Sequence, residues 1–290
     1  MLQKTLILLV IVSLTFGLLA TYAKIPKMIA YQGIKTAVQM QLKFNRDNWE
    51  VKTRDNFTVY YRPEDQGAVP LVLSVGEEAH EKVNEALNYS PQVDIPIVIY
   101  PDRESLNRSF GWDSDVSAMG VYWAGAIKIL SPQAWIEEDE PEAVAERFKY
   151  AGPVVHEYVH LVVDYKTRGN YPRWFTEGLA QYWEREITGF QFDSPEGSLD
   201  QELYPLARMD AEFDNLDNQA LAYSQSLALV EFFYLQYGEE KMELLLTELR
   251  KGRSFDDTSS IVMGHTMEEY LALFQQWLAT ELEKEERIAS

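Results

Sequence analysis

The chain contains no cysteine, which excludes disulfide bonds, thiolate metal sites and lipid-modified cysteine. Basic residues are also scarce, because 26 lysines and arginines stand against 46 aspartates and glutamates, for a net charge of -20. A protein that neutralises nucleic-acid phosphates needs a basic face, so no nucleic-acid partner is expected. With 46% hydrophobic residues in 290, the chain can be stabilised by its apolar core alone.

Only four histidines are present, and two of them stand one helical turn apart in the sequence His156-Glu157-Tyr158-Val159-His160. Residues i and i+4 of a helix share a face, so both imidazoles point at one place, where a metal ion can bind. Glu157 stands beside that place without being needed as a ligand, where a carboxylate can take a proton from water. Three protein ligands and one water are typical of catalytic zinc, so the pattern predicts a zinc-dependent peptidase.

Glu177 is the best candidate for the third ligand. The chain between His160 and Glu177 is long enough for the first helix to end near Gly169 and for the chain to reverse through Asn170 and Pro172. A second helix would then return antiparallel to the first and bring Glu177 to face the two histidines.

Two further residues, Glu184 and Asp164, have roles that the sequence leaves open. Glu184 lies two turns beyond Glu177 on the same predicted face and is the second-ranked candidate for the third ligand. Asp164 could orient a ligand histidine or could equally pair with a lysine or arginine, so it is not assigned to the site. Gly178 removes a side chain where two helices would approach closely.

The segments from Val154 to His160 and from Trp174 to Ala180 resemble the gluzincin metallopeptidases, especially bacterial peptidase-MA-like domains. The continuation to Tyr165 is also similar to the active-site helix of thermolysin-type enzymes. The resemblance implies a zincin-like active-site helix, with Glu157 as the general base. It also implies a Zn²⁺ site with three ligands: His156, His160 and Glu177.

The resemblance further implies that a tyrosine from a later helix stabilises the oxyanion, and Tyr223 fits that position best. The alternative for Tyr223 is simple packing at the start of a helix. The sequence lacks an evident Gly-x-Met-Glu-Asn segment, which holds the substrate amino terminus in aminopeptidase-N-like enzymes, so an endopeptidase acting on peptides or proteins is expected. The alternative function is a non-catalytic zinc-containing binding or scaffold module at the cell surface, although the intact Glu157 favours the enzyme.

The amino terminus predicts export to the periplasm or the cell exterior. An uncharged, mainly apolar run from Thr5 to Ala20 precedes small residues typical of signal-peptidase sites. Residues 1–23 are therefore predicted to be a signal peptide, or a signal anchor in which residues 5–20 tether the protein to the membrane. Residues 24–54 are predicted to be a linker, whose lysines could lie against anionic lipid if the anchor stays.

The remaining residues, 55–290, are predicted to form one peptidase-MA-like domain of the α+β class. A small mixed sheet with helices is expected in the strand-containing part, about 55–135, and a mainly helical lobe at about 141–286. An edge strand between Gly120 and Leu130 could bind an extended peptide by adding it as a further strand. Later helices are expected from Asn218 to Tyr237, from Glu239 to Arg250 and from Met267 to Glu285.

Overall fold

The structure is a computed structural model that describes residues 25–44, 48–112, 118–192 and 194–289. The leader predicted at residues 1–23 lies outside these ranges. Within them, no helix combines the length and the apolar character needed to cross a membrane.

The described residues form strands β1 to β5 and helices α1 to α10. The strands are Glu50–Arg54, Phe57–Tyr61, Ile95–Tyr100, Gly120–Trp123 and Ala126–Leu130. The helices are Ile25–Phe44, Val69–Ala86, Arg103–Arg108, Pro141–Ala151, Val154–Thr167, Arg173–Thr188, Leu206–Glu212, Gln219–Arg250, Phe255–Met263 and Met267–Ala289.

Strands β1 to β5 form one mixed sheet in the order β1-β2-β3-β5-β4. Strands β2, β3 and β5 are parallel to one another, whereas β1 and β4 run antiparallel to their neighbours at the two edges. Helix α2 connects the parallel strands β2 and β3, as a parallel pair requires a crossover. Strands β4 and β5 are joined by a tight turn at Ala124 and Gly125, both of which have positive φ, as a two-residue hairpin requires.

Helices α2 and α5 form a helical layer against the sheet. Val72, Val75, Ala79 and Val83 of α2 are buried and follow a helical period along one stripe. Helix α2 contacts β2, helix α5 contacts β4 and β5, and the two helices pack against each other. Nearly every residue of α5 is buried, so the predicted metal-binding helix lies between the sheet and the helical lobe.

The chain reverses direction between α5 and α6 as the sequence predicts. Helix α5 ends at Thr167, and Arg168 and Gly169 adopt the left-handed conformation, with φ of 61° and 76°. The Gly169 N–H donates to the Asp164 carbonyl at 3.0 Å, which closes the helix end. Helix α6 then packs on both α5 and α8. The close approach expected at Gly178 is to α8, because a Cβ there would lie 2.2 Å from the Ser226 carbonyl oxygen.

The predicted α+β architecture is confirmed. Helix α8 contains a break at Gly238 (φ 74°, ψ 178°), at the position where the sequence separates two helices. Thr266 and Glu269 form a reciprocal cap at the start of α10. Residues 24–54 are predicted to be a linker, but their described part contains helix α1 and strand β1.

Candidate metal centre

The structure brings His156, His160 and Glu177 together at the contact between α5 and α6. His156 Nε2 lies 3.3 Å from Glu177 Oε2, and His160 Nε2 lies 3.5 Å from Glu177 Oε1. All three potential ligand atoms lie within 4.8 Å of one another. Zinc bound tetrahedrally to nitrogen and oxygen at about 2.0–2.1 Å has ligand atoms about 3.3 Å apart. The donor set and its spacing therefore fit a divalent metal ion.

The outer nitrogens of both histidines are held by hydrogen-bond partners on α6. His156 Nδ1 lies 3.0 Å from Glu184 Oε2, and His160 Nδ1 lies 2.8 Å from Thr176 Oγ1. These contacts leave the two Nε2 atoms directed towards Glu177. The second-ranked interpretation of Glu184 as the third ligand is thus corrected by the geometry, because its carboxylate binds the opposite side of the His156 ring.

Glu177 is held as an anion in a buried position. Its side chain is almost inaccessible to solvent, and Arg173 Nη1 lies 3.0 Å from Oε1. Burial alone would raise the pKa of Glu177, but Arg173 and the two histidines outweigh it and hold the pKa well below its usual range. Arg173 Nε also lies 3.4 Å from Asp214 Oδ1. The ionised carboxylate is the form in which glutamate binds a metal.

Glu157 lies beside the cluster of potential ligands without being one of its members. Its Oε2 accepts a hydrogen bond from the backbone N–H of Tyr122 in strand β4, at 2.5 Å. Strand and helix approach very closely here, since a Cβ at Gly120 would lie 2.5 Å from Pro153 and 3.0 Å from Glu157. Burial raises the pKa of Glu157, although the histidines and the Tyr122 N–H lower it in part. A raised pKa suits a carboxylate that must accept a proton and later release it.

Tyr223 lies near the start of α8, where the charges of Glu177 and Glu157 act on its phenol. Its ring packs edge to face on Phe213, with centroids 5.4 Å apart. The Glu177 carboxylate, followed by burial, raises the pKa of the Tyr223 phenol well above its ordinary value. The hydroxyl therefore keeps its proton at neutral pH and can serve as a hydrogen-bond donor.

Asp164 pairs with a lysine, which is the second of the two roles that the sequence leaves open for it. Its Oδ2 lies 3.1 Å from the Lys35 Nζ of helix α1. Within the described residues, Asp164 makes no hydrogen bond or ion pair with His156 or His160. Sequence reasoning did not assign Arg173, Thr176 or Tyr122 to the site. For Arg173 a signal existed, because it precedes Glu177 by four residues on the same helix. Tyr122 carries no local signal, since its contact joins a strand to a helix, and Thr176 is placed only by the reversal between α5 and α6.

A family model described as the peptidase MA superfamily matches residues 80–280. The match spans more than half of the chain and includes the whole candidate centre. The chain belongs to the peptidase MA superfamily. The resemblance to gluzincin-type peptidases is thereby confirmed, and with it the general prediction of a metallopeptidase.

Among solved structures, this peptidase MA chain is similar to aminopeptidase A of Legionella pneumophila, determined in complex with aspartic acid. The two share 14% sequence identity with a TM-score of 0.49, over 78% of this chain and 28% of the aminopeptidase. The chain thus spans less than a third of that enzyme. No curated protein matches the chain.

Proposed function

We propose that this member of the peptidase MA superfamily is an exported zinc-dependent endopeptidase. The observation that carries the proposal is the position of Glu157, a buried carboxylate beside the cluster of His156, His160 and Glu177 but outside it. A protein that only stored or displayed a metal would have no need of a carboxylate with a raised pKa at that position.

His156, His160 and Glu177 would hold the zinc ion. Bound there, zinc supplies Lewis acidity that polarises the scissile carbonyl and makes water more acidic. Glu157 accepts the proton of the attacking water and passes it to the leaving amine. The protonated Tyr223 hydroxyl donates to the oxygen on which negative charge develops.

We propose that strand β4 binds an extended peptide next to Glu157. It is an edge strand that pairs only with β5 within the described sheet, and the Tyr122 N–H points away from β5 towards Glu157. An extended substrate can add to such an edge through main-chain hydrogen bonds. The part of the expected edge that falls in β5 is corrected, since β5 lies between β3 and β4.

The decisive experiment replaces Glu157 with glutamine. The variant should bind one zinc ion per chain, as wild type does, and lose about 10²–10⁴-fold in kcat, the range for a general acid–base group. Glu186→Gln is a matched control, because Glu186 is exposed on α6. If Glu157→Gln cleaves peptides at the wild-type rate with its metal bound, the proposed mechanism is wrong.

A second experiment addresses the class of peptidase. An internally quenched peptide with an acetylated amino terminus and an amidated carboxyl terminus can be cleaved only within the chain. We expect hydrolysis of this substrate, whereas cleavage limited to peptides with a free amino terminus would contradict the endopeptidase proposal. Cell fractionation with sequencing of the mature amino terminus tests export and the fate of the leader.

A further inference from the structure

A buried ion pair joins helix α1 to helix α5, which carries His156, Glu157 and His160. Lys35 is only 4% exposed, and its Nζ donates to Asp164 Oδ2 at 3.1 Å. The same ammonium lies 3.6 Å from the centroid of the Tyr165 ring. The Tyr31 hydroxyl donates to the same oxygen of Asp164 at 3.4 Å. Lys35, the only buried lysine of α1, therefore neutralises Asp164 near the carboxyl-terminal end of α5.

Asp164 in turn holds strand β4. The Tyr122 hydroxyl donates to Asp164 Oδ2 and accepts a hydrogen bond from the Gly125 N–H at 3.0 Å. Gly125 lies in the turn that joins β4 to β5, and a Cβ there would lie 3.2 Å from both Gln39 of α1 and Tyr165 of α5. The hairpin turn is therefore enclosed between α1 and the carboxyl-terminal end of α5.

Tyr122 connects this contact to the catalytic carboxylate. Its side chain binds Asp164, and its backbone N–H binds Glu157. Glu157 and Asp164 are seven residues apart on α5, so they lie two turns apart on the same face. One residue of β4 thus bridges both positions, and the placement of β4 over α5 depends on the charge state and orientation of Asp164.

We propose that Lys35 is a positioning residue for the general base. It fixes Asp164, Asp164 fixes Tyr122, and the Tyr122 N–H fixes the carboxylate of Glu157. Without Lys35, Asp164 is a buried charge without its cation, and such a group must recruit water or rearrange. Strand β4 then shifts, and a displacement of about 1 Å at a catalytic group can reduce a rate about 100-fold. The inference rests on the proposed function, in which Glu157 accepts the proton.

The test compares Lys35→Met with Lys27→Met in the full-length protein. Lys27 lies on the same helix and is exposed, so its replacement controls for loss of a lysine from α1. We expect Lys35→Met to lower kcat at least 10-fold on a quenched peptide substrate, with KM within twofold and with unchanged zinc content. Lys35→Arg keeps the cation and should recover most of the lost kcat.

A measurement on the metal-free protein provides a readout that does not depend on activity. Hydrogen–deuterium exchange followed by mass spectrometry reports the backbone N–H groups of β4. In Lys35→Met the Tyr122 amide should exchange at least 10-fold faster than in wild type, while Lys27→Met leaves it unchanged. Equal protection of this amide in all three proteins would overturn the inference.

Tyr122→Phe tests the same positioning role if Lys35→Met fails to fold. This variant keeps the ring and the backbone N–H and removes only the hydroxyl that binds Asp164. A kcat reduced at least 10-fold at constant KM supports the inference, whereas a kcat within twofold of wild type overturns it. Glu157→Gln separates the two proposals. If it is inactive while Tyr122→Phe is fully active, only the positioning role is lost, but full activity of Glu157→Gln contradicts the function itself.

Discussion

Glu184 offers a direct test of how the proposed metal ligands are oriented. Its Oε2 lies 3.0 Å from His156 Nδ1, and both side chains are mostly buried. The hydrogen bond keeps the proton of the imidazole on Nδ1, so that the Nε2 lone pair faces Glu177. Replacing Glu184 with glutamine removes the charge but leaves an amide oxygen that can accept the same proton. Replacing it with alanine removes the acceptor altogether.

The size of the effect follows from the strength of this hydrogen bond. A hydrogen bond to a charged group contributes about 1.5–3 kcal/mol, and about 1.4 kcal/mol corresponds to a tenfold change in an equilibrium constant. Loss of such a partner of a ligand histidine costs about 10–100-fold in metal affinity. We therefore expect zinc affinity to fall about 10-fold in Glu184→Gln and about 100-fold in Glu184→Ala, since only the second variant loses the acceptor.

The assay is competition between the metal-free protein and a chromophoric zinc chelator of known affinity. Glu186→Gln, an exposed change on the same helix, should bind zinc as wild type does. A zinc affinity of Glu184→Ala within twofold of wild type would refute the reasoning, because the ligand histidine would then be oriented without its carboxylate.

Three further predictions concern stability. Gly178→Ala should lower the free energy of unfolding by about 1–3 kcal/mol in urea titrations through overpacking, because the new Cβ would meet Ser226. Gly33→Ala is its control, since nothing lies within 4 Å of that position. Burial lowers the pKa of Lys128 to about 8, so the folded state binds fewer protons than the unfolded state from about pH 8 to 10.5. Lys128→Met should therefore stabilise the protein most below pH 8, by about 1 kcal/mol after allowance for partial exposure, and a gain in melting temperature that does not shrink towards pH 10 would contradict this. Zinc at about 1,000 times its dissociation constant should add about 4 kcal/mol of stability, a rise in melting temperature of about 8–16 °C that a chelator should reverse; no shift on zinc addition would count against the metal site.

The convergence of the two histidines could be predicted because it depends on helix geometry alone. His156 and His160 are four residues apart, and the apolar residues around them predict a buried helix. Glu177 required one further step, the helix reversal, whose signals at Gly169 and Pro172 are also local. Both steps use contacts between residues close in sequence, so neither depends on the rest of the fold.

Helix α1 could not be predicted, because the contact that holds it is remote in sequence and polar in character. Met28 and Lys35 are its buried residues in the part whose side chains are described, and they lie on one stripe. A buried lysine in that stripe makes the pattern appear polar, and its partner Asp164 lies 129 residues away. The same segment therefore suggested a linker. An edge strand was predicted in the region of β4, but the hydrogen bond of β4 to Glu157 depends on how closely Gly120 approaches Pro153.

The roles of the residues on α6 follow from one fact that the sequence does supply, the reversal of direction between α5 and α6. In an antiparallel pair, a residue further along one helix lies beside an earlier residue of the other. Thr176 accordingly contacts His160, whereas Glu184 contacts His156, and Glu177 lies between the two rings. Two turns of helix separate Glu177 from Glu184, about 10 Å, which is too far for both carboxylates to reach one ion. Glu177 is therefore the candidate ligand, whereas Glu184, on the same face of α6, contacts the outer nitrogen Nδ1 of His156.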